Sequence, residues 1–198
     1  MNKPAPVDPP VHDFIRQRWS PRAFADRDLE PGALRSLLQA AQWAPSCFNE
    51  QPWAFIVATR DQPEAFAELL GCLVPGNQTW AKSAPLLMLT AAKLAFDHNG
   101  KPNRHALHDV GLAVAQLTLQ ATSLGLGVHQ MAGIDRGKAR ETYGIPEGWD
   151  PVTAVAVGHF GDPRSLPEGL RERELGPRKR KPLADFVFAG GWDEAAIQ

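Results

Sequence analysis

The sequence predicts a mixed α+β protein in which helices cover a β-sheet. Three segments of strand length, 53–60, 84–92 and 151–159, are almost continuously apolar, as strands covered on both faces are. Segments with helical periodicity lie between them, and the longest of these covers 103–125. Because helices and strands alternate along the chain, we predict a sheet core flanked by helices.

Two amphipathic helices are predicted before the first strand. The first lies in VDPPVHDFIRQR, with Asp8 as its candidate N-cap, and the second lies in EPGALRSLLQAAQW, with Pro31 near its start. Their apolar faces carry, in chain order, Val11, Phe14, Ile15, Leu34, Leu37, Leu38 and Ala41. We expect both helices to pack on the core.

Helices and a further strand follow the first strand. A short helix, DQPEAFAELLG, separates the first two strands, and the long helix at 103–125 ends at Gly125, which suits a helix C-terminus. The apolar positions of the long helix are Leu107, Val110, Val114, Leu117, Ala121 and Leu124. A strand in GLGVHQMAG precedes a helix at about 135–143, which begins after Asp135 and ends at Gly144.

Length and composition indicate one cytoplasmic domain that binds neither nucleic acid nor membranes. A chain of 198 residues favours a single domain at 1–198, with a flexible N-terminus at 1–10 and a C-terminal arm at 164–198. The net charge of -1 provides no field to gather nucleic acid, and the apolar stretch APLLMLTAA is too short to span a bilayer. Cys47 and Cys72, without an evident signal peptide, fit a reducing compartment.

The sequence contains no motif for a protein nucleophile or a metal centre. GxSxG, HExxH and a glycine-rich phosphate loop are all absent. His105 and His108 stand three residues apart on the long helix, but no Cys or carboxylate has a spacing that completes a metal site. We therefore expect no metal, and the two histidines either face solvent or line a pocket. Cys47 has no evident cationic partner in the sequence that would favour its thiolate, so we do not expect it to be a nucleophile.

Two cationic segments lie far apart in the sequence. They contain Arg18, Ser20 and Arg22 in RQRWSPRAF, and Arg178, Lys179, Arg180 and Lys181 in GPRKRKPL. Two guanidinium groups and a hydroxyl are suited to binding a phosphate dianion. The alternative is a solvated charged surface, which is the usual state of a charge run.

A series of motifs in one order connects the sequence with a known family. These are RQRWSPRAF, AAQWAPSCFNEQPWAFIVATR, GLGVHQMAGID, VAVGHFGDP and RKRKPLADFVF. Together they resemble the FMN-dependent nitroreductase family over about residues 11 to 192. The resemblance implies a three-layer sandwich with a mixed, mostly antiparallel sheet, and a homodimer with FMN at the subunit interface. It implies a C-terminal arm exchanged between subunits, and LADFVF independently needs a surface that covers it.

The resemblance also implies which residues hold the phosphate end of the flavin. Arg18 and Ser20 would contact the phosphate and the ribityl chain. Arg178 and Arg180 would close over the phosphate from the arm. Arg22 would lie near the N1 and C2 carbonyl edge, where a cation stabilises the negative charge of reduced flavin.

Other segments are implied to contact the flavin ring. The loop at 46–49 would reach it across the two-fold axis, Asn77 would lie near it, and the backbone of Gln130–Gly133 would lie beside N5 and O4. Trp19 stands where the family more usually has a basic or histidine residue, and Ala132 stands where some members have a glutamate. The complete predicted set is Arg18, Trp19, Ser20, Arg22, Ser46, Cys47, Asn49, Asn77, Gln130, Met131, Ala132, Gly133, Arg178 and Arg180.

The implied activity uses the flavin and no catalytic side chain, because N5 carries the hydride. We expect ping-pong transfer from NADH or NADPH to an electron-poor acceptor such as a nitroaromatic or a quinone. The predicted substrate residues are Phe48, Lys101, Arg104, His105 and His108, and a polar segment without a ligand is the alternative for the last four. The alternative functions are an FMN-binding sensor or flavin-utilising protein with little NAD(P)H reductase turnover and, against the neutral charge, a nucleic-acid-binding module.

Overall fold

The centre of the protein is a four-stranded sheet. The computed structural model describes residues 3–196, and its strands are β1 (Trp53–Thr59), β2 (Leu86–Lys93), β3 (Leu126–Met131) and β4 (Trp149–His159). Their spatial order is β1-β2-β4-β3, and all three pairings are antiparallel. The sequence-based expectation of a mixed sheet is therefore corrected for the described part of one chain, which contains no parallel strand pair.

The burial of each strand follows its place in the sheet. β2 is central, and its Met88 pairs with Val57 on one side and with Val155 on the other. Seven of its eight residues are buried, which explains its continuous apolar sequence. β1 is an edge strand and is mostly half-buried, so the prediction of coverage on both faces holds for the central strands and only partly for β1.

Helices cover both faces of the sheet and make it the middle of three layers. The helices are α1 (Asp13–Gln17), α2 (Ala33–Gln42), α3 (Pro63–Gly71), α4 (Pro75–Ala81), α5 (Ala106–Ser123), α6 (Arg136–Tyr143) and α7 (Glu168–Leu175). On one face α2 and α5 bury Leu37 and Val110, and on the other α3 and α4 bury Leu69 and Trp80. The three-layer α+β architecture is thus confirmed.

The signals for the start and end of α6 act as the sequence predicts. The Asp135 side chain accepts a hydrogen bond of 2.9 Å from the Lys138 backbone N–H, which caps the helix N-terminus. Gly144 ends the helix in the left-handed region, with φ of 56°. In the described chain α5, at 18 residues the longest helix, does not reach the hydrophobicity of a bilayer-spanning segment, and the others are shorter.

Several apolar side chains predicted to be buried are exposed. α1 is only five residues long and begins after His12, whose Nδ1 accepts a hydrogen bond from the Phe14 backbone N–H, rather than after Asp8. A helix this short covers little surface, and no α1 residue is buried. The exposed apolar residues that contradict the prediction are Val11, Phe14, Ile15, Leu107 and Leu124.

Two helices are not predicted from the sequence, and the arm has a different local structure from the one expected. α4 is a seven-residue helix with a proline in its first turn, and α7 lies in a segment that is too charged to show an apolar face. Within LADFVF, residues Leu183–Asp185 form a 3-10 turn, and Phe188 makes an isolated bridge to Ala195. The described part of the arm, 164–196, therefore forms no strand on its own chain, and its Leu183 and Phe186 are exposed.

Candidate active site

The two cationic segments that the sequence separates by about 155 residues meet in one pocket. The cavity has a volume of ≈ 270 Å³ and lies between the start of the chain, the end of α7 and the arm. It is lined by Lys3, Arg18, Trp19, Ser20, Arg22, Arg173, Glu174, Gly176, Pro177, Arg178, Lys179 and Arg180. The structure thus brings together the residues expected at the phosphate end of a flavin. We call this cavity the cationic pocket.

The cationic pocket has an excess of positive charge. Burial and the nearby guanidinium groups of Arg178 and Arg180 lower the pKa of Arg18 below its ordinary value. Burial and Arg180 likewise lower the pKa of Arg178. Such shifts arise where like charges crowd together in a partly desolvated place. A multivalent anion with several acceptor oxygens, such as a phosphate group, matches this environment.

Glu174 is the carboxylate among the residues that line the pocket, and it accepts hydrogen bonds from the adjoining backbone. Its side chain is buried, with 1% of the residue exposed. Oε1 accepts hydrogen bonds from the backbone N–H groups of Arg22 at 2.9 Å and Ala23 at 3.1 Å, and Oε2 accepts from Arg22 at 3.1 Å. The carboxylate therefore fixes the segment that carries Arg22.

The arginines of the pocket are held in different ways. Arg18 Nη1 donates to the Ser20 hydroxyl at 3.3 Å, so the guanidinium and the hydroxyl are already adjacent. Arg178 Nη1 donates to the carbonyl oxygens of Lys3 and Arg16, both at 2.8 Å. Arg180 is exposed and makes a bond of 2.7 Å only to the neighbouring carbonyl of Lys179. Arg178 is thus anchored by backbone, whereas the exposed Arg180 is free to turn toward a ligand.

Trp19 contributes packing to the floor of the pocket. Its indole is buried and stacks on Phe160, with ring centroids 5.6 Å apart and an interplanar angle of 13°. The side chain cannot replace the basic residue that the resemblance leads one to expect there. An uncharged indole supplies no ion pair, so the positive charge of the pocket comes from the arginines and lysines that line it.

The Gln130–Gly133 segment at the end of β3 packs against α4 through Asn77. Asn77 Nδ2 donates to the Gly133 carbonyl at 3.1 Å, and the Val74 backbone N–H donates to the same oxygen at 3.1 Å. A Cβ on Gly133 would lie 2.7 Å from both Asn77 Nδ2 and Val74 Cγ2, so a larger residue would force these side chains to shift. Packing within the chain therefore favours glycine at this position.

The members of this segment differ in exposure. Met131 is buried, so its side chain belongs to the core and only its backbone can face a ligand. Gln130 and Ala132 are exposed. The segment thus presents backbone and one amide side chain to solvent.

His129 joins the cationic pocket to β3. Its Nδ1 lies 2.9 Å from the Pro21 carbonyl oxygen and, because that oxygen only accepts, Nδ1 carries the proton. The imidazole centroid lies 4.5 Å from the Trp80 ring. Burial, followed by the charge of Arg22, lowers the pKa of His129 to about 4, so the ring is neutral near pH 7. The Arg18–Arg22 segment and Gln130–Gly133 are therefore neighbouring parts of one site.

The loop before β1 has a strained backbone. Phe48, Asn49 and Gln51 have φ of 55°, 55° and 51°, in the left-handed region that non-glycine residues rarely adopt. The Cys47 backbone N–H donates to Asp109 Oδ2 at 3.0 Å, and the Gln51 N–H donates to Ser46 Oγ at 2.9 Å. Strained residues held in place by a buried carboxylate are typical of loops with a function.

Phe48 belongs to an exposed aromatic cluster at the tip of this loop. It is 78% exposed, and its ring lies 5.7 Å from Phe96 and 5.5 Å from His98. The other predicted substrate residues, Lys101, Arg104, His105 and His108, are exposed on the approach to α5 and in its first turn. The loop and the 96–108 segment thus adjoin, as expected, and present aromatic and ionisable groups to solvent.

Within one chain, this loop is remote from the end of β3. The loop precedes β1 and Gln130–Gly133 follows β3, and these are the two edge strands of the sheet. Three interstrand spacings separate them, which is roughly 14 Å. A single chain therefore carries two separate candidate regions, which we call half-sites: the cationic pocket with the end of β3, and the 46–51 loop.

Comparisons with known proteins identify the family of this chain. The sequence model of the nitroreductase family matches residues 15–159, which make up most of the chain. The match includes the whole stretch from Arg18 to the end of β4. The chain belongs to the nitroreductase family. The family match ends before the arm, so Arg178 and Arg180 lie outside it.

Individual relatives of this nitroreductase-family chain cover between 65% and 94% of its length. A crystal structure described as an oxidoreductase containing FMN is 38% identical, covers 94% of each chain and has a TM-score of 0.88. An uncharacterized 15.4 kDa protein of Mycolicibacterium smegmatis is 40% identical over 65% of this chain and 85% of its own. An FMN reductase [NAD(P)H] of Bacillus subtilis is 27% identical over 77% of this chain and 69% of its own.

Sequence reasoning missed two buried carboxylates and the half-buried His129, which lie at the candidate site of this nitroreductase-family member. Glu174 lies in the charged run RERELGP and looks like a solvated residue. Asp109 is only 2% exposed and its position in the first turn of α5 suggests a helix-dipole role rather than a loop anchor. His129 alternates with apolar residues along β3. The available signal for Asp109 was an acidic residue on the apolar face of a helix. No feature of the neighbouring sequence distinguishes Glu174.

Proposed function

We propose that the protein is an FMN-dependent oxidoreductase that takes hydride from NADH or NADPH and passes it to an electron-poor acceptor. The observation that carries the proposal is the cationic pocket, where Arg18, Arg178 and Arg180 crowd together while the buried Glu174 carboxylate is engaged with backbone N–H groups. An FMN phosphate supplies the missing negative charge. The FMN in the similar crystal structure and the FMN reductase relative support the choice of flavin.

The chain's own residues would bind and orient the cofactor. Arg18, Ser20 and Arg180 would hold the phosphate, and the backbone of Gln130–Gly133 would lie along the ring. Arg22, whose charge already acts on His129, would stabilise negative charge on the ring. FMN held there would supply the hydride chemistry at N5, between a nicotinamide donor and a nitroaromatic or quinone acceptor.

The two half-sites lead us to infer a homodimer in which each flavin contacts both subunits. The 46–51 loop of one subunit would reach the flavin held by the cationic pocket of its partner. Phe14, Ile15 and Leu107 are exposed apolar residues that such an interface would bury, and the same holds for Leu183 and Phe186 of the arm. Phe48 and the ionisable groups of 101–108 would then line the acceptor pocket. A cytoplasmic location is part of this proposal, because both cysteines are free thiols.

The absorbance spectrum of the purified protein tests this function directly. We expect a bound-flavin spectrum that bleaches when NADH or NADPH is added without oxygen, since the proposed reaction needs no other component. Titrating the two donors separately identifies the preferred one. A flavin spectrum that neither donor bleaches would favour the sensor or flavin-utilising alternative, and protein that binds no FMN after reconstitution would refute the proposal.

Removing the arm is expected to empty the site and weaken the dimer. A chain truncated after Gly176 lacks Arg178 and Arg180, which supply two of the cations of the pocket. Flavin absorbance per subunit and the mass from light scattering measure the two effects. The full-length double variant Arg178→Ala, Arg180→Ala is the control, because it should lose FMN and keep the dimer. A truncated protein that stays dimeric and fully yellow would contradict the arm assignment.

A further inference from the structure

The segment at residues 3–6 lies beside the cationic pocket, although it belongs to the stretch expected from sequence to be flexible. Lys3 lines the pocket itself, and Lys3, Pro4 and Pro6 line an adjoining cleft with Leu175–Arg178. The Ala5 backbone N–H donates to the Arg16 carbonyl at 2.7 Å, which ties the segment to the end of α1. We call residues 3–6 the N-terminal strap.

The Lys3 side chain binds the C-terminal end of α7. Its Nζ donates to the carbonyl oxygens of Glu174 at 2.5 Å and Gly176 at 2.6 Å. The ammonium also lies 4.8 Å from the centroid of the Trp19 ring. A cation at the carbonyl end of a helix satisfies free acceptors and interacts favourably with the helix dipole. Lys3 therefore fixes the residues that lead from α7 into the arm.

The contact is reciprocal, because the backbone of Lys3 binds the arm in return. The Lys3 carbonyl accepts the bond from Arg178 Nη1 at 2.8 Å. Burial and repulsion from the nearby Arg180 both lower the pKa of Arg178, so its charge is disfavoured there unless acceptors compensate. The carbonyls of Lys3 and Arg16 are the acceptors that oppose this repulsion. The two contacts together form a clasp between the strap and the arm.

We propose that Lys3 is a positioning residue for phosphate binding, which clasps the arm so that Arg178 and Arg180 stay in the pocket. The inference rests on the proposed function, because the anion it serves is the FMN phosphate. It assigns to the strap a role in retaining the cofactor. Lys3 acts through the end of α7 and through Arg178.

The test compares the affinities of Lys3 variants for FMN and for riboflavin, which lacks the phosphate. Lys3→Met keeps the length of the side chain but removes the ammonium, and its FMN dissociation constant should rise about tenfold, the effect of losing charged hydrogen bonds. The riboflavin dissociation constant should stay unchanged. Lys3→Arg should restore FMN affinity, since a guanidinium also donates to the two carbonyls. Lys82→Met, at the exposed end of α4 outside the pocket, is the charge-matched control.

A second readout does not depend on the flavin. In the cofactor-free protein, backbone amides of residues 176–181 should exchange with deuterium faster in Lys3→Met than in the wild type, while those of α5 should not change. Equal FMN affinity of Lys3→Met and wild type, or an equal loss of FMN and riboflavin affinity, would overturn the role of Lys3 and leave the proposed function intact. A wild-type protein that binds no FMN would overturn both.

Discussion

Replacing Glu174 with alanine is expected to lower the free energy of unfolding by roughly 3 kcal/mol, because two backbone N–H groups lose their acceptor in a buried place. These groups belong to Arg22 and Ala23, and Glu174 is 1% exposed. The segment that carries Arg22 would move, so FMN affinity should fall more than tenfold, equivalent to about 1.4 kcal/mol or more. Glu174→Gln should have an intermediate effect, since its amide keeps one acceptor oxygen.

Urea denaturation of the cofactor-free protein and FMN titration measure the two effects separately. Glu172→Ala is the matched control, because Glu172 lies on the same helix but is exposed. It should change stability by less than about 0.5 kcal/mol, as is usual for surface substitutions. Equal stability of Glu174→Ala and Glu172→Ala would show that the carboxylate does not hold the segment.

Arg18→Ala and Arg180→Ala are each expected to raise the FMN dissociation constant by about 30-fold, since each removes charged hydrogen bonds worth roughly 2 kcal/mol. The turnover number at saturating FMN should change by less than about threefold, because the phosphate lies away from the reacting atoms. Affinity for riboflavin should be nearly unaffected in both variants. A weaker salt dependence of FMN binding should accompany the loss of either charge.

Arg164→Ala is a suitable control for these substitutions. Arg164 is an exposed arginine early in the same arm, and its partner is the neighbouring Asp162 rather than the pocket. The FMN affinity of the Arg164→Ala variant should match that of the wild type. If Arg18→Ala and Arg180→Ala also bind FMN with unchanged affinity, the phosphate lies elsewhere.

The elements that could be predicted from sequence are those whose ends and buried face are determined by residues close by in the sequence. Asp135 and Gly144 mark the ends of α6, and Leu37 and Ala41 mark the buried face of α2, as predicted. The prediction that α1 packs on the core was wrong for the single chain, because periodicity shows that a helix face is apolar but not what covers it. Phe14 and Ile15 are exposed on the single chain.

The cationic pocket could be predicted only in part. Charge and resemblance pointed to Arg18 and Arg180, and the structure brings these two residues to one cavity. Glu174 and Lys3 were not found, because their roles depend on tertiary contacts between segments that no local pattern connects. The flavin contacts of the 46–51 loop and of Gln130–Gly133 stay predictions. The variants and the absorbance spectrum described above test the site as a whole and not these contacts one by one.

The contact between Arg178 and the Lys3 carbonyl spans 175 residues of sequence, and the contact between Glu174 and Arg22 spans 152. Closing such long loops comes late in folding, after the local helices and the sheet have formed. During synthesis, a nascent chain can build the α2 and α5 layer long before residue 178 leaves the ribosome, yet it has no complete pocket. An FMN phosphate that needs Arg178 and Arg180 would therefore bind only after residue 180 has been synthesised, and it would not act as a template for the early stages of folding.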